Sequence, residues 1–582
     1  NSDYAVRAGV GYGGGDFILG GGQAFFVEAE SGRLYRQPLA AGSAAPISPA
    51  FGQAAAPVLS PDGRWLAFVH SSEGEDCLAL LDAQGTQWPQ KIASGFDFYM
   101  QPCWQPSGQQ LAWIAWNQPN MPWDGTFLQT GTLVTYEAGL PSLEEVKTLT
   151  GSPETSIFQP CFSPDGRHLA YVSDASGWWQ IYLHDLKKGK SRQLTRAEAD
   201  HGLPAWVQGM RTYGFDPLGK EIFFIRNQKG YASLWRYDLV DDAQQPVILD
   251  VEYTWLEQLA IAPQPGPQGE VRLALLASAS DIPPRVVVCE VSPDAEKANS
   301  ARARTRILRR SASEEIDSAA YSRPQPITWR GMDGEQVYGL YYPPHNPKFI
   351  GRGKPPLIVS IHGGPTSQVR ATFNPRAQYF ATRGYAYLEV NYRGSTGYGR
   401  AYWQALYGKW GLYDVQDAVS GAQQLVKEGL ADEDKLIIMG GSAGGFTVLQ
   451  ALVDHPGFFK AGVCLYGVAN QFTLVAETHK FEARYSDKLL GSLPQAAQVY
   501  RHRSPVFHAD RIQNAVILFQ GEEDQVVPRS QSDEIVASLE RRGVPHEYHL
   551  YPGEGHGFRK VETLEHFYQT AEKFLRQHVI YA

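Results

Sequence analysis

Two hydrophobic patterns divide this chain. In the first half, short β-rich runs follow tight polar turns: Ser60-Pro61-Asp62-Gly63 precedes the apolar run 65–69, and the pattern returns at Gln105-Pro106-Ser107-Gly108, Ser163-Pro164-Asp165-Gly166 and, more loosely, Asp216-Pro217-Leu218-Gly219. Each turn leads into one strand and then another, such as 180–183 or 233–237. The turn glycines recur every 45 to 58 residues, a blade period. A four-stranded blade cannot bury both faces alone, so such units stack around an axis. Weaker copies at 23–39 and 256–288 bring the expected number to six or seven blades.

The second half alternates strands with helices. Residues 326–329 and 337–342 read as antiparallel strands, and 356–361, 385–390, 435–439, 515–519 and 547–551 as buried ones. Helices are predicted at 446–453, at 530–542 with Ile535, Val536 and Leu539 on one face and Gly543 ending it, and at 561–575. The fold class read from this is two-domain: an N-terminal all-β propeller of about seven blades over 1–318 and a C-terminal α/β-hydrolase fold over 319–582. The boundary is placed where Arg304, Arg306, Arg309 and Arg310 give way to Glu314, Glu315 and Asp317, which reads as a solvated connection.

The loops after the buried strands carry the chemistry. Gly440-Gly441-Ser442-Ala443-Gly444-Gly445 lies between a strand and a helix, the context of a nucleophile elbow, where side chains at 440, 444 or 445 would clash. Asp524 follows the 515–519 strand, and His556 rides on a glycine-rich loop after 547–551, giving the order Ser, Asp, His of an α/β-hydrolase. His556 would take the Ser442 proton and later protonate the leaving group, while Asp524 orients the imidazole. Glu522 and Glu523 rival Asp524, and His546 and His549 rival His556; the first pair reads as a solvated loop face, the second as strand residues. His362-Gly363-Gly364-Pro365 after 356–361 offers an oxyanion hole from Gly364 and Gly363, completed by the amide of Ala443. His362 itself reads as a loop-ordering residue.

These motifs, with Asn391-Tyr392-Arg393-Gly394-Ser395-Thr396-Gly397-Tyr398-Gly399, resemble the prolyl oligopeptidase family of serine peptidases, and most of all its acylaminoacyl-peptidase and bacterial aminopeptidase branch. The resemblance implies seven blades, a propeller covering the catalytic mouth, and short peptides or aminoacyl amides as substrates. One position departs from it. Members often carry an arginine two residues after the catalytic aspartate, where this chain has Val526. The segment 117–125 breaks the blade rhythm, resembles an insertion of the aminopeptidase members, and is expected to reach toward the site.

Substrate residues are less clear from sequence. Tyr466, Phe481 and Tyr485 follow the strand after the nucleophile helix and are candidates for an apolar pocket or for plain core. If a free amino terminus is recognised, a propeller acid should pair with the ammonium, and Glu154 is the nominee. The many propeller tryptophans read as packing between blades rather than a carbohydrate platform.

Composition narrows the setting. The 582 residues carry a formal charge of −9 with no basic run, which argues against nucleic acid. No apolar stretch approaches the roughly 20 residues of a membrane span, and no targeting pattern opens the chain. The five cysteines are scattered and read as reduced core residues, which implies a cytoplasmic setting and no metal or cofactor. A homo-oligomer is compatible with all of this. The resulting expectation is a serine exopeptidase of the aminopeptidase, acylaminoacyl-peptidase or dipeptidyl-peptidase type. The alternatives are a carboxylesterase or arylamide hydrolase, and a catalytically silent propeller that serves as an interaction module.

Overall fold

The structure, a computed structural model, describes residues 3–135, 141–240, 245–292 and 301–582. Six blades, antiparallel but for one parallel pair in the fifth, account for the first half of the described residues, opening with the strands Phe17–Gly20, Gln53–Leu59, Phe98–Trp104, Ile157–Phe162, Tyr213–Phe215 and Trp255–Ile261. The expectation of about seven is therefore corrected to six. The first blade lacks the Pro-Asp-Gly turn, and the sixth closes with Arg304–Arg310, the arginine-rich run that reads in the sequence as a connection. Where the turn is present it works as its residues dictate. Ser60 Oγ donates to Asp62 Oδ1 at 2.5 Å and accepts from the Trp65 amide at 2.9 Å, and Ser163 and Asp165 repeat the arrangement.

The opening strands carry bulges at matching places, with Ala56, Gln101, Gln159 and Gln258 at φ of 48–55°. At two of these bulges the glutamines tie blades together. Gln101 Oε1 accepts from the Gln159 amide at 2.6 Å, and Gln159 Oε1 accepts from the Thr212 amide at 2.6 Å. These bonds satisfy backbone groups that a bulge takes out of the ladder.

The second half holds one eight-stranded sheet, here β1 (Gln325–Arg330), β2 (Gln336–Tyr342), β3 (Leu357–Ile361), β4 (Ala386–Asn391), β5 (Leu436–Gly441), β6 (Ala461–Leu465), β7 (Ala515–Gly521) and β8 (His546–Tyr551), in the order 1-2-4-3-5-6-7-8. From β4 onward the pairing is parallel. Strands β3 to β7 are buried almost throughout, which is why they read as continuous apolar runs. Helices α1 (Tyr413–Lys427), α2 (Ala443–Asp454), α3 (Ser530–Arg542) and α4 (Val561–Leu575) accompany the sheet. Gly543 ends α3 with φ 65°, the left-handed cap its position implies.

The two halves meet through ion pairs of uniform polarity. Asp76, Asp124, Asp174, Glu257 and Asp281 of the propeller pair with Lys480, Lys488, Arg400, Arg370 and Arg323 of the second half. The 117–125 segment takes part: Trp123 packs on Trp206 and on Tyr485, and Gln118 Nε2 donates to Lys480 O at 3.1 Å. Among the described residues, no helix is long and apolar enough to cross a membrane.

Candidate active site

Strand β5 ends at Gly440 and Gly441, and the chain turns at Ser442 with φ 57° and ψ −125° before entering α2. A non-glycine residue so placed holds about 1–3 kcal/mol of backbone strain. The turn closes only because its neighbours lack side chains. A Cβ on Gly440 would stand 2.5 Å from Gly444 O, one on Gly444 2.2 Å from Ile361 O, and one on Gly445 2.7 Å from Gly467 Cα. Ala443 opens α2, so its amide has no acceptor within the helix.

The loops after β7 and β8 bring two further groups to this turn. Asp524 Oδ1 accepts from the amides of Val526 and Val527, both at 2.9 Å, and its side chain is fully buried. Oδ2 lies 2.8 Å from His556 Nδ1, and His556 Nε2 lies 2.9 Å from Ser442 Oγ. With the Nδ1 proton directed at the carboxylate, Nε2 presents its lone pair to the serine hydroxyl. Glu554 holds the histidine loop by accepting from the amides of Arg559 and Lys560 at 3.0 and 2.9 Å. The rival residues lie elsewhere: Glu522 and Glu523 are exposed, while His546 faces Val544 O and His549 faces Glu547.

Gly363 abuts the serine, since a Cβ there would be 3.4 Å from Ser442 Cβ, and Gly364 turns the loop with φ 122°. His362 is not free to touch a ligand. Its ring stacks on Tyr392 at 4.3 Å, with Nδ1 2.8 Å from Gly363 O and Nε2 2.8 Å from Ser395 Oγ. Burial pushes its pKa down to about 4, so it is a neutral strut for the loop.

Ser442, His556, Gly363, Gly364 and Ala443 line one cavity of about 520 Å³. Tyr466 and Tyr485 are in its wall, as the sequence suggests, with Trp410, Val468, Leu474 and Val526. The Tyr466 ring stands 4.7 Å from that of His556, and Tyr485 is held by the Thr366 amide and hydroxyl at 3.1 and 2.7 Å. Phe481 is one layer behind, packed on Phe98, Trp116, Tyr12 and Trp206 around a neighbouring hollow. Glu154 is not brought to the cavity; it sits on an exposed turn.

Among the wall residues that escape the sequence reading are Tyr12 and Trp206 from the propeller, and Glu482. Among the described residues, Glu482 is the only carboxylate lining the cavity, and no lysine or arginine lines it. Thr478 Oγ1 donates to its Oε2 at 3.4 Å and the Tyr12 hydroxyl is directed at it. Burial raises its pKa above the usual range, opposed by these hydrogen bonds and by nearby His556. An uncompensated carboxylate in aromatic surroundings is a site for a cation.

Comparison with known proteins bears on the family and the fold. The prolyl oligopeptidase family model matches residues 371–580. A Mycobacterium tuberculosis puromycin-hydrolyzing peptidase superposes with a TM-score of 0.90 at 31% identity, covering 100% of this chain and 88% of that one. A puromycin hydrolase structure gives 0.89 at 33% identity, covering 99% and 88%. Dipeptidyl peptidase family member 6 of Caenorhabditis elegans is 36% identical over 230 residues, 38% of this chain and 31% of that protein. The chain thus spans about a third of the length of the curated relatives it matches. Full-length structural likeness above 30% identity decides the assignment: the chain belongs to the prolyl oligopeptidase family of serine peptidases.

Proposed function

We propose that the protein is a serine exopeptidase that hydrolyses short peptides or aminoacyl amides bearing a free amino terminus, through an acyl-enzyme on Ser442. The observation that carries this reading is His556 standing between Ser442 Oγ at 2.9 Å and Asp524 Oδ2 at 2.8 Å. Ser442 attacks the scissile carbonyl as His556 takes its proton, and Asp524 stabilises the imidazolium. The oxyanion is met by donors drawn from the amides of Gly363, Gly364 and Ala443, each worth about 3–4 kcal/mol in the transition state. His556 then protonates the departing amine, and water repeats the sequence in reverse to release the acid.

Glu482 replaces Glu154 as the acid that meets the substrate ammonium. Its burial among Tyr12, Trp206 and Tyr485 strengthens that pairing, since a low local dielectric favours an opposite charge. Tyr466, Val468, Trp410 and Leu474 form the pocket for the residue before the scissile bond. The puromycin hydrolase likeness fits an aminoacyl amide of this kind. The free cysteines fit a reducing, cytoplasmic setting.

A fluorophosphonate probe and a panel of chromogenic amides test the proposal. Labelling of the wild type that disappears in Ser442→Ala, with turnover of amino-terminally free amides and at least tenfold less of their acetylated forms, supports it. No labelling of folded wild type removes it. Turnover of short acyl esters without any of amides makes the protein a carboxylesterase instead.

A further inference from the structure

On the side of Glu482 the catalytic cavity is bounded by a partition with a second space behind it. That space is a hollow of about 190 Å³ lined by the rings of Phe98, Trp116 and Phe481 and by the paired Asp76 and Lys480. Among the described residues, Tyr12 and Trp206 are the two that face both the hollow and the catalytic cavity, so their rings form the partition. They meet edge to face with centroids 5.6 Å apart.

The two halves of the partition are held differently. Trp206 is fixed to the catalytic half: its Nε1 donates to Thr366 O at 2.8 Å, and its ring packs on Tyr485 at 5.7 Å. Tyr12 stands on a turn ahead of the first blade strand, closed by the Gly13 amide donating to Val10 O at 2.9 Å. The glycines on either side, at φ 58° and 83°, take up left-handed backbone that residues with side chains rarely adopt, and Gly13 O accepts from the Gln208 amide at 2.8 Å, which ties the turn to the propeller. The Tyr12 ring lies edge-on to His479 at 4.9 Å and to Phe481 at 6.0 Å. Its hydroxyl bonds to Glu482, and burial beside that carboxylate raises the phenol's pKa, so the hydroxyl keeps its proton and donates.

The partition sets a length. On the exopeptidase reading, the substrate ammonium meets Glu482 while the scissile carbonyl stands at Ser442. In a single amino-terminal residue the nitrogen is about 2.5 Å from its own carbonyl carbon, and each further residue adds roughly 3.3–3.6 Å. Glu482 is close enough to His556 for that histidine to oppose the rise of its pKa, which fits the shorter reach. A second residue would have to pass through the space that the Tyr12 ring fills. We propose that Tyr12 is a specificity-determining residue that limits the acyl side of the substrate to one amino acid, so that the protein removes single residues rather than dipeptides. The hollow behind the ring is the room that a second residue would take in its absence. Its volume suffices for a small side chain, since an apolar cavity of about 150 Å³ holds a benzene molecule. The inference rests on the exopeptidase reading above and narrows it.

The test uses alanine p-nitroanilide and alanyl-alanine p-nitroanilide, with the first product released from the second substrate identified at early times by mass spectrometry. Wild type is expected to release alanine first, with alanylalanine formed at less than about a tenth of that rate. In Tyr12→Ala, and in the milder Tyr12→Leu, the ratio of alanylalanine to alanine should rise about tenfold or more, because the steric barrier to the longer acyl group is gone. Tyr12→Phe keeps the ring and should keep the wild-type ratio. Alanylalanine as the main first product of the wild type overturns the proposal without recourse to any variant. So does a ratio within twofold of the wild type in folded Tyr12→Ala or Tyr12→Leu. A shift in Tyr12→Phe as large as that in Tyr12→Ala also overturns it, by assigning the effect to the bond with Glu482 rather than to the ring. Failure of the wild type to cleave either anilide overturns the exopeptidase reading itself, whereas cleavage with an unchanged product ratio overturns the role of Tyr12 alone.

Discussion

Lys480 Nζ lies 2.9 Å from Asp76 Oδ1 of the second blade, and it also donates to Asp97 O at 2.6 Å. Two residues on, Glu482 enters the catalytic cavity, and Tyr485 follows. The propeller therefore holds the wall of a cavity whose Ser442 belongs to the other half.

Lys480→Met leaves Asp76, whose side chain is 4% exposed, without its cation. The expected loss of stability is about 2 kcal/mol, below that of a fully buried pair because the ammonium is partly solvated. KM for amino-terminally free amides should rise about fivefold while the rate of fluorophosphonate labelling at Ser442 stays near the wild type. Denaturant titration and the split between KM and kcat check this.

His556→Ala should lower kcat by about 10⁴-fold or more, and Asp524→Asn by about 10⁴-fold, with melting temperatures close to the wild type. The residues act as a unit, so the double variant should lose little beyond His556→Ala alone. Full activity in His556→Ala refutes the assignment of the base.

That Ser442, Asp524 and His556 come together was legible because each sits within a few residues of a strand end, in a loop whose glycines mark the turn locally. The helix at 530–542 and its Gly543 cap were legible for the same reason. Glu482 was not. It lies among Lys480, Arg484 and Asp487, charged neighbours that give no local sign of burial, and its burial depends on Tyr12, distant in the chain. Glu154 failed in the opposite sense: an acid in a blade loop fits the role by position, but its turn is exposed. The blade number erred because the count of seven came from resemblance, whereas the residues themselves left six open.

Glu482→Gln should raise KM about 10- to 100-fold for amides with a free amino terminus, the range expected for loss of a charged hydrogen bond. The acetylated amides should change by less than twofold, which narrows the gap between the two substrate types. Equal effects on both would assign Glu482 a structural role.

Glu389 offers a pH test away from the site. It is buried beside Tyr342 and Asn374, and burial raises its pKa from 4.5 to about 7. Between those values the folded protein holds more of this proton than the unfolded chain, so this group's contribution to stability falls as pH rises. Glu389→Gln removes that slope. Its stability relative to the wild type should grow between pH 4.5 and pH 8, measured by denaturant titration at each pH.

The ion pairs joining the two halves have a consequence for assembly. Because in these five pairs, among the described residues, the anion belongs to the propeller and the cation to the other half, the paired surface is self-repelling as well as complementary. Two toroids brought rim to rim would oppose like signs, as would two catalytic bodies, so each half accepts only its unlike counterpart during folding.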